Sequence, residues 1–339
     1  MGAAQNELFG LLKHRCLRSN GVSENLAIKS YKQGDEYAIL KLFEDTFGKQ
    51  MSMDYWQWRF MGNPTRKAII DMAWDNDVLA SHYSVSPVIL SVQGMEYTTG
   101  LSGTTMTHPD YRRRALFPTL AERTYARMAS EGMAMVWGFP NNTFSHRRIV
   151  RDLEWEDIHL VPNFRKLLTE GRPFPEPTNN LIELANVDAR FDLLWSQAKG
   201  KYRILAKRDM SYLNWRYERN PMHEYTLFGH VTDDLLLGYA ICKHYLNDID
   251  LVDILSMDDA VGFDLVCGVA KWATARKAEA INMWLNFTTP LYRKLEGFGF
   301  YNGEPITYFG GRILQSKPDG SEIYNFKNWH LTMGDSDVY

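Results

Sequence analysis

A chain of 339 residues with 45% apolar and 13% aromatic content holds enough hydrophobic material for about two cored domains. A net charge of −3 and a pI near 6.3 exclude a global electrostatic attraction to nucleic acid or to an anionic membrane. No apolar run reaches the roughly 18 residues of a membrane span, residues 8–12 are too short for a signal peptide before Lys13, His14 and Arg15, and Cys16, Cys242 and Cys267 form no C-x-x-C pair, so a soluble, reducing cytoplasmic setting is expected.

Residues 1–24 are weakly periodic and read as an appended helix. From Asp35, the spacing of Ile39, Leu40, Phe43 and Phe47 predicts a helix that Gly48 stops. A string Tyr55-x-x-Trp58-Arg59-Phe60-x-x-Asn63-Pro64 follows. Strand-like runs at 68–73 and 78–92 flank the turn chemistry of Asp75-Asn76-Asp77, and a third run covers 101–107. A helix is expected over 117–131, with Phe117, Leu120, Thr124, Tyr125 and Met128 on one face, then a strand at 133–138 and a short helix near 145–152. Pro173, Pro175 and Pro177 mark residues 169–180 as a stiffened linker.

Beyond the linker the order repeats. A helix at 188–198 precedes Tyr212-x-x-Trp215-Arg216-Tyr217-x-x-Asn220-Pro221, a second copy of the earlier string. Strands at 225–231, 235–245 and 249–256, a helix at 260–277, a strand at 279–286 and a helix at 290–297 complete it, with 329–333 as an extension of the second sheet. Coincidence is the alternative, but an offset near half the chain favours a duplicated unit of α/β or α+β type. The arginines of the two strings are expected to pair with carboxylates or to cap carbonyls.

Chemistry concentrates in Thr107-His-Pro-Asp-Tyr-Arg-Arg-Arg-Ala-Leu-Phe-Pro118, which joins a strand to a helix. Such a turn offers backbone N–H groups and the positive end of a helix dipole to a phosphate. Arg112, Arg113 and Arg114 add cations that suit diphosphate oxygens. On the residues alone, a phosphate site and a solvated basic loop both remain open.

With this turn the chain resembles the GNAT superfamily of acyl-CoA-dependent N-acyltransferases, whose Gln/Arg-x-x-Gly-x-Gly/Ala turn cradles the coenzyme A pyrophosphate. The resemblance implies Arg112 at the Gln/Arg position, Ala115 at the first Gly and Phe117 at the last small position. Both small positions depart from the pattern, and alanine admits positive φ less readily than glycine. Cofactor contacts are implied for Met106, Thr107, Arg113, Arg114 and Leu116, and for Asn141 and Asn142 beside the pantetheine arm, where asparagine also serves as a turn former.

Extended over nearly the whole chain, the resemblance implies two tandem GNAT-like domains, each a mixed central sheet flanked by helices. Residues 25–168 would bind coenzyme A. Residues 181–339 would be a degenerate copy with an acceptor or structural role, because Asp258 and Asp259 replace the arginines and suit a helix N-cap.

Superfamily members often place an acidic Tyr in the short fourth helix. Here Val150 takes that place in the first copy and Tyr292 in the second, where ordinary packing also explains it. His108 and His146 flank the expected site as bases or as capping and surface residues. Asp335 and Asp337 either meet an acceptor ammonium or belong to a solvated tail. The histidine spacing fits no metal site.

The Trp-Arg-Tyr and Thr-Met-Thr-His-Pro-Asp-Tyr-Arg strings look like those of bacterial sugar N-acyltransferases of surface-polysaccharide pathways. That resemblance implies acetyl- or 3-hydroxybutyryl-CoA as donor and a dTDP-linked amino-dideoxy sugar as acceptor. The neutral amine would attack directly, with a strand N–H between Met106 and His108 stabilising the oxyanion. An aminoglycoside or peptide acceptor, and a non-catalytic acyl-CoA-binding module, stay open.

Overall fold

The computed structural model describes residues 26–141 and 143–337. In the first half, β1 (Leu26–Ser30) is followed by α1 (Glu36–Phe47), which ends at Gly48 with φ 68°, as the sequence predicts. A short α2 (Met53–Trp56) runs into a π turn at Gln57–Met61. Then come β2 (Ile69–Asp75), β3 (Val78–Val92), β4 (Met95–Thr107), α3 (Leu116–Ser130), β5 (Met135–Gly138), α4 (Thr143–Leu153) and β6 (Glu156–Leu167). The second half runs β7 (Leu181–Leu184), α5 (Arg190–Ala198), β8 (Ile204–Ala206) and α6 (Met210–Leu213), with a π turn at Asn214–Glu218. It continues with β9 (Thr226–Thr232), β10 (Leu235–Tyr245), β11 (Asp248–Ser256), α7 (Asp259–Ala275), β12 (Ala280–Met283), α8 (Pro290–Glu296) and β13 (Tyr301–Ile313), before a short α9 (Gly320–Ile323).

The strands form one mixed sheet of 13, ordered β1-β2-β3-β4-β5-β13-β6-β12-β11-β10-β9-β7, with β8 added beside β3. Replacing every strand on that path by its counterpart in the other half reverses the order and leaves it unchanged. The halves are therefore related by a pseudo-two-fold axis between β13 and β6. Each final strand has crossed over: β13 pairs with β5, and β6 pairs with β12. Where β13 is squeezed between β5 and β6, only glycine fits. A Cβ on Gly311 would lie 2.6 Å from the Val136 carbonyl oxygen, and one on Gly310 would lie 2.7 Å from that of Glu156.

The repeated strings meet across this axis. The Trp58 and Trp215 rings stack at 5.3 Å, and each indole N–H donates to the other's backbone carbonyl, at 2.7 and 2.9 Å. The surrounding positions also do the same work twice. Ser52 and Asp209 cap the two turns by accepting from the Tyr55 and Tyr212 N–H groups. Asn63 and Asn220 close matching side-chain turns onto Thr65 and Met222.

The tail does not extend the second sheet as expected; a lone bridge between Ile204 and Trp329 is its one strand-like contact among the described residues. It is packed inward instead. Arg208 donates to Asp253 at 3.0 Å, to Asp335 at 2.9 Å and to the Thr332 hydroxyl at 3.0 Å, all buried. Arg216 donates to the carbonyls of Gly334 and Ser336, and Arg59 to the Asp337 carboxylate. Both repeat arginines thus hold the tail, Arg59 by the carboxylate and carbonyl of Asp337 and Arg216 by carbonyls alone.

Two measurements follow from these buried charges. Arg208→Met leaves Asp253 and Asp335 unpaired in the interior, and urea titration should find the variant about 3–5 kcal/mol less stable. The second concerns His330, which burial, with Arg208 adding to it, pushes down to about 4. The folded chain resists a proton that the unfolded chain accepts below about 6.5, so stability falls as pH drops from there towards 4. His82 is pushed the same way by burial, and Asp250, raised to about 6 by burial, works in the opposite sense. The stability difference between wild type and His330→Gln should therefore shrink by about 3 kcal/mol between pH 7 and pH 4.

Candidate active site

The first half opens where its two parallel strands part. β4 and β5 are paired at Gly100 with Val136 and at Leu101 with Trp137, and diverge beyond. A bulge bends β4 away: Thr104 and Thr105 together oppose Tyr83, and Thr104 has φ 52°. Beneath it, buried His82 hydrogen-bonds through Nδ1 to the Thr104 carbonyl at 3.0 Å. Burial keeps that imidazole neutral, so Nδ1 is the donor.

The fork leads into a groove of about 1310 Å³. Its walls are Ser102–Thr105 and Thr107 from β4, Gly138–Asn141 after β5, residues 109–118, and Ser145, Arg148 and Ile149 of α4. The end of α1 and Lys49 lie on one side, and Met222, His223 and Asp337 enter from the second half. The His108 N–H donates to the Ala80 carbonyl. Alternation along an antiparallel strand then turns the Thr107 N–H the other way, to the edge that β5 has left.

The turn before α3 leaves backbone donors free. Arg113 and Ala115 both take positive φ, 67° and 55°, and no side chain caps the helix. Among the described residues the Leu116 and Phe117 N–H groups have no partner, and Pro118 has no N–H to satisfy. The Arg112 and Arg113 side chains are exposed, while Arg114 lies over the Tyr111 ring at 4.8 Å. Phe117 is tolerated at its position because it packs on the Tyr83 ring at 5.8 Å. Tyr83 continues inward as a hydrogen-bonded chain, from Ser102 through Tyr83 and Tyr125 to Trp155. Burial lifts the Tyr83 hydroxyl to about 12.

The second half uses the equivalent places differently. Asp258 caps α7 by accepting from the Val261 N–H at 2.9 Å, and Asp259 accepts from Leu291 at the start of α8. The fork between β11 and β12 beyond Leu251 and Met283 is filled by the tail. Asn286 donates to the carbonyls of Phe326 and Trp329, and His330 Nε2 lies 2.8 Å from the Ile254 carbonyl oxygen.

Of the residues expected at the cofactor, Thr107, Arg112, Arg113, Arg114, Ala115, Leu116, Phe117 and Asn141 line the groove. Met106 does not: its side chain is buried in the core beside α1. Asn142 lies outside the described residues. Neither expected histidine reaches the groove. His108 accepts from the Asp110 N–H and stands edge-on to Tyr111, the capping alternative. His146 stacks on Tyr308 at 3.7 Å and hydrogen-bonds Asp157 at 2.6 Å. Tyr292 is not an acid facing this site. It packs on Phe164 in the second half's core, its hydroxyl accepting from Asn302 at 2.7 Å, and burial raises its pKa. Asp335 is committed to Arg208 and faces no groove, which corrects both expectations for it, acceptor contact and solvated tail. Asp337 does line the groove, paired with Arg59 at 3.1 Å. Gly103 makes room for that pair, since a Cβ there would lie 2.7 Å from Asp337 Oδ2. Among the described residues, no three His, Cys, Asp or Glu side chains are grouped as metal ligands.

Residues 27–158 match the family model for the acetyltransferase (GNAT) domain. No curated protein matched the chain. Solved structures with a similar fold include a probable N-acyltransferase from Enterococcus faecalis V583, 11% identical, with 85% of this chain and 73% of that one covered at a TM-score of 0.69. A GCN5-related N-acetyltransferase from Kribbella flavida is 15% identical over 85% of this chain and 71% of its own, with a TM-score of 0.65. The N-myristoyltransferase of Saccharomyces cerevisiae with bound myristoyl-CoA is 11% identical over 88% and 85%, with a TM-score of 0.58. The shared feature is the fold, across both halves of the chain.

Holding alanine in the left-handed region costs roughly 1–2 kcal/mol. Ala115→Gly should therefore raise the unfolding free energy measured by urea titration, by about 1 kcal/mol after glycine's own entropic cost.

Proposed function

We propose, from the match of residues 27–158 to the GNAT acetyltransferase domain, that the chain transfers an acyl group from acyl-CoA, held in the first half's groove, to an amine presented at the junction of the halves. The observation that carries this is the open fork of β4 and β5 beside an uncapped, arginine-flanked helix N-terminus. The diphosphate would lie on the Leu116 and Phe117 N–H groups and pair with Arg112 and Arg113. The pantetheine arm would enter between β4 and β5, where backbone groups lack a strand partner. The Thr107 N–H then meets the thioester carbonyl oxygen as it gains charge. As the amine nitrogen bonds to the carbonyl carbon and gives up a proton, the carbon–sulfur bond breaks, and coenzyme A leaves as the thiolate and is protonated to the free thiol.

For the acceptor we propose a nucleotide-linked amino-dideoxy sugar of the dTDP type, destined for surface polysaccharide. Acetyl or a short hydroxyacyl group such as 3-hydroxybutyryl would be the donor. The groove's charge supports this choice over a polycationic aminoglycoside. Its described lining has six basic residues, Lys49, Arg59, Arg112, Arg113, Arg114 and Arg148, against two acidic ones, Asp110 and Asp337. An anionic nucleotide is drawn to such a surface, and a polycation is repelled.

The test incubates the chain with acetyl-CoA or 3-hydroxybutyryl-CoA and, in turn, a dTDP-linked amino sugar, kanamycin and a glycine-terminated peptide. Thiol release with a matching gain in product mass is expected for the sugar. A binding module would release no thiol with any amine. Calorimetry should find one acyl-CoA site per chain. Arg112→Glu with Arg113→Glu should weaken that site at least about 100-fold, since each lost charge-assisted hydrogen bond costs about 1.5–3 kcal/mol. Two equal sites would contradict the assignment to the first half.

A further inference from the structure

Acyl transfer needs a group to take a proton from the attacking amine, and neither His108 nor His146 reaches the groove. His223 does. It sits just past the second Trp-Arg string, three residues after Asn220, so the second half supplies it to a site built mainly by the first. Its ring nitrogens have no hydrogen-bond partner among the described residues; its one ring contact is an edge-on approach to Tyr225 at 6.2 Å. An imidazole free to accept, in contact with the groove, is the form a general base requires.

The surroundings favour that form. Although His223 is exposed, partial desolvation at the groove wall, then the charges of Lys243 on β10 and Arg216 in the π turn, lower its pKa and favour the neutral ring. Arg216 also donates to the Ser336 carbonyl, next to Asp337, which lines the same groove as His223. The carboxylate of Asp337 is already paired with Arg59. An amine docked among these cations would have its own pKa lowered as well, and would reach the thioester more often unprotonated.

Resting on the acyl-transfer function above, we infer that His223 is the general base of the reaction, donated across the junction by the second half. The amine nitrogen bonds to the thioester carbon, and its surplus proton passes to the His223 imidazole. The carbon–sulfur bond breaks, the thiolate takes the proton back from the imidazolium, and amide and free thiol result with the base regenerated. The second half thereby contributes to the chemistry although it binds no coenzyme A.

The experiment measures kcat and KM across pH 5.5–9 for the full chain, His223→Gln and His223→Ala, with acetyl-CoA and the same three amines. Thermal melts and acetyl-CoA calorimetry accompany each variant, and both should match wild type because His223 is exposed. At pH 7, kcat should fall about 10²–10⁴-fold, with KM for acetyl-CoA unchanged. The loss should narrow as pH rises, and added imidazole should restore part of the activity of His223→Ala. A kcat within about threefold of wild type, or a loss that is uniform across pH and insensitive to imidazole, overturns the assignment. A wild-type chain that acylates none of the amines overturns the acyl-transfer function and this inference with it; an active wild type beside indifferent variants overturns the inference alone.

Discussion

Because β6 and β13 pair with each other, and each also pairs with a strand of the opposite half, neither half owns a complete sheet. A strand left without its neighbour exposes a row of backbone donors and acceptors. Here each half satisfies the other's edge, so the relative placement of the two halves is set by backbone hydrogen bonds and not by side-chain packing alone. The Trp58–Trp215 contact repeats the logic in side chains, each indole donating to the other's main chain. The few residues that the second half adds to the groove are therefore held in fixed relation to the first half's walls.

Within this symmetric frame the two copies diverge where a ligand would bind. The first leaves its helix end uncapped and holds Ala115 in a conformation suited to glycine. Unsatisfied donors and local backbone strain together are the marks of a site kept open for something else. The second caps the same helix end with Asp258 and fills its fork with the tail. The arginines of the duplicated strings reflect the split. Both grip the tail, but Arg59 presents its partner Asp337 to the groove, whereas Arg216 and its carbonyl partners are buried. One sequence motif thus serves a single asymmetric object from two sides.

Much of this was legible in the sequence. Alternating runs placed β3 and β10 at their observed limits, helical spacing located α1, α3 and α7 within a residue or two, and the repeated string announced the symmetry. The strands that join the halves were hidden by their own composition. Pro162 and Pro305 sit mid-run in β6 and β13, where proline argues against a strand. In the fold the two prolines face each other at a register break, so neither is needed as a donor. The site was half legible: a local turn motif identifies the residues around Arg112 and Ala115, because strand, turn and helix are contiguous. Arg59, Gly103, Met222 and His223 come together only through the crossover, and no local pattern encodes it. The tail misled for a related reason. Its residues lack periodicity because they fill a fork between strands, where every side is buried.

The crossover also shapes how the chain is made. β5 leaves the ribosome early, yet its partner β13 ends at Ile313, near the end of the described chain. Until then the first half carries an unpaired edge and cannot close its sheet, although its core residues are already present. Pairings between such distant segments form slowly, and an edge left waiting is prone to the wrong partner. Termination between β6 and β13 would leave the first half, intact in sequence, without its closing strand.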